Sequence, residues 1–115
     1  MTMNNDVLFE MVAEPHRRAI LDCLRRKEHT VGELVAISSL SQPGVSKHLR
    51  LLREAGLVTV RREGQKQLYR LRPEPLRELD DWLQPYRRFW SDKLDALERS
   101  LDEEAMRQQK RNEEA

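Results

Sequence analysis

SQPGVSKHLRLLREAGL, residues 41–57, reads as a helix with a firm boundary at each end. Ser41 can cap it, and Pro43 suits a first turn because its missing N–H has no helical partner there. Gly56 can take the left-handed conformation that closes a helix. Val45, Leu49 and Leu52 recur at helical spacing and make one apolar face. Gln42, Gly44, Ser46, Lys47 and Arg50 lie on the other face or in the first turn. Such a helix can bury one side and offer the other to a duplex. Glutamine pairs with adenine, lysine reaches guanine or phosphate, serine adapts, and the first-turn N–H groups suit phosphate. Each residue also has a plainer role. Ser41 is first a cap, Lys47 and Arg50 can be solvated charges, and His48 can pack locally beside Leu49 and Leu52.

Upstream, Val7, Leu8, Met11 and Val12 mark a short first helix, capped by Asn5 or Asp6. A second helix opens at Glu14-Pro15, with Ala19, Ile20, Cys23 and Leu24, and His16 beside them, as its inner stripe. Arg25, Arg26 and Lys27 sit where the helix dipole favours cations. Thr30 and Glu33 form a capping box for a third helix, whose inner residues are Val31, Leu34, Val35 and Ile37. Downstream, Val58 and Val60 alternate with polar residues, and Tyr69 and Leu71 do so on the return. A two-residue turn at Glu63-Gly64 pairs Val58 with Tyr69 and Val60 with Gln67. Pro73 or Pro75 then opens a helix to about Gln84, Pro85 kinks or restarts it, and it continues to about residue 104. Residues 1–4 should be loose, and the polar tail 105–115 should fray.

Four helices, a hairpin and a last helical region make a mainly α fold with a small β-hairpin: a winged helix-turn-helix with C-terminal dimerisation helices. We expect a single domain over residues 1–104, with a DNA-binding core at about 14–72 and dimerisation elements at about 5–12 and 74–104. Charge follows the same division. Residues 42–72 hold eight Lys/Arg against two Glu, although the whole chain is only +1. The natural partner of that segment is a polyanion. In the hairpin, Arg61, Arg62, Gln65 and Lys66 are placed to grip backbone or minor groove; the plainer reading is solubilising edge charge.

The last helical region carries Leu76, Leu79, Leu83, Tyr86, Trp90, Leu94, Leu97 and Leu101, in steps of 3, 4, 3, 4, 4, 3 and 4. That is a coiled-coil-like seam with one four-residue stutter at Trp90. Leu76 and Leu79 suit packing within the chain. Tyr86, Phe89, Trp90, Leu94, Leu97 and Leu101 suit a partner helix, with Leu8 and Met11 of the first helix joining the interface. A homodimer built this way sets two recognition helices about 34 Å apart, the spacing of an inverted-repeat operator.

EPHRRAILDCL (14–24), TVGELVAISSLSQPGVSKHLRLLREAGLV (30–58) and REGQKQLYRL (62–71) together resemble the ArsR/SmtB family of dimeric winged-helix repressors. The likeness covers about residues 8–72, and Ser41 to Val58 is its most specific part. It implies DNA contact by Gln42, Ser46, Lys47 and His48, and by the wing around Arg62, Gln65 and Lys66. Gly44 departs from the Thr, Ser or Ala common there and removes a side chain from the DNA-facing turn. Many members sense metals through Cys-x-Cys on the third helix; the corresponding positions here are Thr30 and Gly32. Others use Asp and His on the last helix, but no histidine follows His48.

Cys23, His16 and His29 are too few and poorly spaced for a zinc site, so we expect no metal and no cofactor. Cys23 reads as a core residue and has no disulfide partner in the chain. No catalytic constellation and no phosphate-binding glycine loop is evident, so an enzyme is not expected. The start lacks the pattern of a signal peptide, and no apolar run approaches a membrane span; the expected location is cytoplasmic, with no membrane partner. The leading expectation is a homodimeric, sequence-specific repressor of transcription on double-stranded DNA, either released by an effector of unknown identity or acting as an autorepressor. The alternative is a winged-helix protein–protein interaction module that does not bind DNA.

Overall fold

A computed structural model describes residues 5–114. The elements are α1 (Asn5–Ala13), α2 (Pro15–Arg26), α3 (Val31–Ile37), α4 (Gln42–Glu54), β1 (Val58–Glu63), β2 (Lys66–Leu71), a 3-10 turn (Glu74–Leu76) and α5 (Arg77–Glu114). The chain divides between Asp80 and Asp81 into two compact units. The first is a winged helix-turn-helix; the second is the rest of α5.

Local chemistry places the helix boundaries. Glu14 caps α2 by accepting from the Arg17 backbone N–H, with Pro15 as its first residue. Thr30 and Glu33 form the reciprocal capping box of α3. Ser41 Oγ accepts from the Gly44 N–H at 3.3 Å and starts α4; Gly56, at φ 79°, ends it in the left-handed region. Asn5 and Asp6, expected to cap α1, are instead its first residues, and the expected looseness of residues 1–4 lies outside the described residues. α1 itself begins at Asn5, which puts Asp6 in its first turn.

The core gathers the inner faces of these helices and the start of the wing. Val45, Leu49 and Leu52 of α4 are fully buried, together with Leu34 of α3, Leu57 and Val58. On α2 the inner stripe is Ile20, Leu21 and Leu24, with Cys23 half-buried. Ala19 is exposed rather than inward, because it falls outside the sector formed by positions 20, 21 and 24. His16 is likewise exposed. Ile37, expected inside, is 59% exposed: it is the last residue of α3, and the chain turns away at Ser38. Leu76 and Leu79 pack against the core, in keeping with the intramolecular role expected of them.

The hairpin pairs Val58 with Leu71, Val60 with Tyr69 and Glu63 with Lys66. The turn is therefore Gly64-Gln65, one residue later than the expected Glu63-Gly64. Gly64 takes φ +62°, and the first central position of a two-residue hairpin turn requires such an angle. The shift re-pairs the strands but leaves each side chain on its expected face. His29, before α3, exchanges both backbone hydrogen bonds with Tyr69 and adds a one-residue third strand beside β2.

α5 contains Pro85 within one helix and runs to Glu114, so residues 105–114, read as a fraying tail, are helical. This stretch has neither Gly nor Pro. Arg107 and Arg111 both pair with Glu104, which supports the final turns. Leu8 and Met11 differ from expectation in a way that matters later. Both are buried in the core, at 0% and 6% exposure, and do not form an outer face of α1.

These burials predict a contrast in stability. Leu52→Ala should destabilise the domain by about 2–5 kcal/mol, because it removes a fully packed side chain and leaves a cavity. Ile37→Ala should change stability by only about 0.5 kcal/mol. Urea titrations monitored by circular dichroism would measure both.

Candidate nucleic-acid interface

With Val45, Leu49 and Leu52 turned inward, helical geometry fixes what α4 shows to solvent. Gln42, Ser46, Arg50 and Arg53 are exposed and share one stripe, since successive residues turn by about 100°. Lys47 is exposed further around the same side. Gly44 sits in the first turn. A Cβ there would meet Ser41 Oγ at 3.5 Å and Leu40 Cβ at 3.7 Å, ordinary contact distances, so packing does not demand glycine. The expected Gln42, Ser46 and Arg50 thus share one stripe with Lys47 beside it, whereas Gly44 lies about 200° round from Gln42, its missing side chain facing Ser41 and Leu40.

His48 is not with them. It lies on the opposite flank of the buried face, 16% exposed, turned towards α2. Its Nε2 is 4.0 Å from Glu14 Oε2, and its Nδ1 is 3.5 Å from Arg17 Nη1. Arg17 in turn donates to the carbonyls of Glu10 and Met11 at 2.9 Å each. One guanidinium therefore joins the end of α1, the start of α2 and the middle of α4.

The wing carries exposed Arg61, Arg62, Gln65 and Lys66. Arg61 is held in place: its Nε donates to Glu28 Oε2 at 2.8 Å, and its Nη2 to Glu63 Oε2 at 3.1 Å. The Arg61 hydrogen bond is the main reason that the Glu28 carboxyl titrates below its ordinary range, and Glu28 raises Arg61 in return. Two carboxylates thus offset the Arg61 charge, which leaves Arg62 and Lys66 as the stronger cations of this element. Glu28, Glu14 and Arg17 were not singled out in the sequence. Helical or strand spacing carried no signal for their contacts with His48 and Arg61, which lie 31 to 34 residues away.

The chain matches the helix-turn-helix domain family over residues 12–61. The transcriptional repressor SdpR of Bacillus subtilis (strain 168) is 33% identical over 81 residues, which cover 70% of this chain and 88% of SdpR. The HTH-type transcriptional regulator Rv2034 of Mycobacterium tuberculosis (strain ATCC 25618 / H37Rv) is 35% identical over 99 residues, covering 86% of this chain and 90% of Rv2034. Among solved structures, an ArsR family transcriptional regulator, RHA00566, is similar at TM-score 0.65 and 28% identity, over 75% of this chain and 94% of that one. This chain belongs to the ArsR/SmtB family of regulators.

In this ArsR/SmtB-family domain, α3 and α4 are the helix-turn-helix pair and β1–β2 is the wing. The helix pair is coupled electrostatically to α2. Burial is the main cause that lowers the His48 pKa from its ordinary 6.5; Glu14 opposes this, and the charges of Arg17, His16 and Lys47 reinforce it. Glu14 is also partly desolvated. Hydrogen bonds from His16 and the Arg17 N–H, with the charges of His16 and His48, outweigh that and hold its carboxyl below 4.5.

The sign of the pH effect follows. A histidine whose folded pKa is depressed binds fewer protons in the folded than in the unfolded chain, so stability falls as pH drops below 6.5. The lowered carboxylates Glu14, Glu28 and Glu33 act in a lower window, below 4.5. Thermal melts between about pH 5 and 7 should therefore show an acid-side loss of stability that His48→Asn reduces. An identical slope in wild type and His48→Asn would remove His48 as its source.

Proposed function

We infer that this chain is a homodimeric transcriptional repressor that binds an inverted-repeat operator in double-stranded DNA. One observation carries the reading. The helix whose inner face is locked into the core presents Gln42, Ser46, Lys47 and Arg50 outward, on the second helix of a helix-turn-helix. Gln42 and Ser46 have the donors and acceptors to read base edges; Lys47 and Arg50 supply charge for guanine or phosphate. Arg62, Gln65 and Lys66 place the wing on the backbone or the adjacent minor groove. Arg61 aims the wing through Glu28 more than it adds free charge, and His48 holds α4 against α2 more than it reads DNA.

The partner for α5 is a second copy of the chain. Tyr86, Phe89, Trp90, Leu94, Leu97 and Leu101 are all exposed along it, and their spacing suits a paired helix. Leu8 and Met11 drop out of the interface because the core already covers them. Among the described residues, no helix is long and apolar enough to cross a membrane. We place the repressor in the cytoplasm, where an operator is accessible, and SdpR and Rv2034 bear names that accord with this role.

Two substitutions test the reading separately. Lys47→Ala should weaken operator binding and reduce the slope of log K against log salt by roughly one unit, if Lys47 neutralises one phosphate. An unchanged slope in fluorescence anisotropy titrations would exclude that contact. Leu94→Glu or Leu97→Glu should shift sedimentation towards monomer and weaken operator binding, while the helix-turn-helix unit stays folded. A dimer that survives both changes would rule out the α5 seam.

A further inference from the structure

The flank of α4 that faces α2 carries a cluster with its own chemistry. Glu14, His16 and His48 bring one carboxylate oxygen and two imidazole nitrogens within 4.8 Å of one another. His16 Nδ1 is already 2.8 Å from Glu14 Oε1, and the two imidazole rings stack at 18° with centroids 6.0 Å apart. We propose that Glu14, His16 and His48 form a binding site for a first-row divalent metal ion of the zinc type, joining the start of α2 to α4.

The donor set selects the class of ion. Two imidazoles and one carboxylate suit zinc, cobalt or nickel; magnesium and calcium prefer oxygen, and copper(I) prefers thiolate or thioether. Three protein ligands leave a fourth position for water or a small ligand. Bonds of about 2.0–2.1 Å in a tetrahedral site require ligand atoms roughly 3.4 Å apart, so separations of up to 4.8 Å have to close by up to about 1.4 Å while the 2.8 Å His16–Glu14 contact opens. His16 can make that movement, since its side chain is 48% exposed, whereas Glu14 is fixed as the helix cap. An ion would replace the direct His16–Glu14 contact and draw in the His48 Nε2.

Arg17 sets the strength of the site. Its Nη1 stands 3.5 Å from His48 Nδ1, and the carbonyls of Met11 and Glu10 hold the guanidinium. A metal on Nε2 leaves the ring proton on Nδ1, facing a second donor and a positive charge. Metal-bound histidines usually direct that N–H to an acceptor. Binding must therefore break the Arg17–His48 contact, which makes the affinity moderate and exchanges one tether of α4 for another. The site lies on the other flank from Gln42, Ser46 and Arg50, so it stands whether or not that stripe reads DNA.

The test uses the full chain, stripped with a chelator and then titrated with Co2+ by visible absorption and with Zn2+ by calorimetry. The wild type should take up one ion per chain. His16→Ala should weaken uptake by about tenfold or more, and circular dichroism of the metal-free variant should show that it still folds, because the side chain is half exposed and lies outside the core. Glu14→Gln should weaken it similarly. Arg17→Gln removes the opposing charge and offers an amide oxygen to the Nδ1 proton, so it should tighten uptake. Equal uptake by wild type and His16→Ala, or no uptake by wild type at a large excess of ion, overturns the proposal.

Discussion

Burial of Val45, Leu49 and Leu52 is the constraint on which the rest of the molecule depends. These three side chains set the rotation of α4 about its own axis, and that rotation decides which of its remaining residues meet solvent. The same core receives Leu34 from the preceding helix and Val58 from the wing. Losing this packing would leave Gln42, Ser46, Lys47 and Arg50 chemically intact but without a shared direction. Apolar contact thus holds the register of the exposed side of α4.

Polar contacts refine what the core sets. Ser41 and Gly56 fix where α4 begins and ends, and the Glu14–Arg17–His48 group fixes one flank to α2. Arg17 reaches three elements through one planar group whose several donors point in fixed directions. On the wing, Glu28 does comparable work for Arg61. The segment rich in Lys and Arg is thus not uniformly available for a polyanion. Arg61 orients the scaffold, whereas Lys47, Arg50 and Arg53 lie exposed on α4 and Arg62, Lys66 and Arg70 on the wing.

The two compact units have different energetics. The first buries apolar residues from α1 through β2 and the start of α5. The second is a helix whose large apolar residues, Leu83 apart, stay roughly half exposed or more, from Trp82 to Met106. Wide exposure of Trp90, Leu94 and Leu97 along one helix is unfavourable for an isolated chain and gains its value when a second helix covers it. In the proposed dimer, operator spacing follows from α5, while recognition follows from α4.

Much of this was legible in local sequence. Apolar periodicity marked α2 and α4, the capping box at Thr30 and Glu33 marked α3, and the Ser41 and Gly56 signals bounded the recognition helix, because helix formation and capping act over three or four residues. The alternation around Val58 and Tyr69 marked the wing, but the register moved by one turn position because only backbone geometry showed that Gly64 takes the positive φ. Tertiary structure decided the rest. It buried Leu8 and Met11, balanced Arg61 with Glu28, and brought His48 to Glu14 and His16. Those outcomes depend on which faces pack together across more than thirty residues of chain, and neither spacing nor capping in a single sequence encodes that choice.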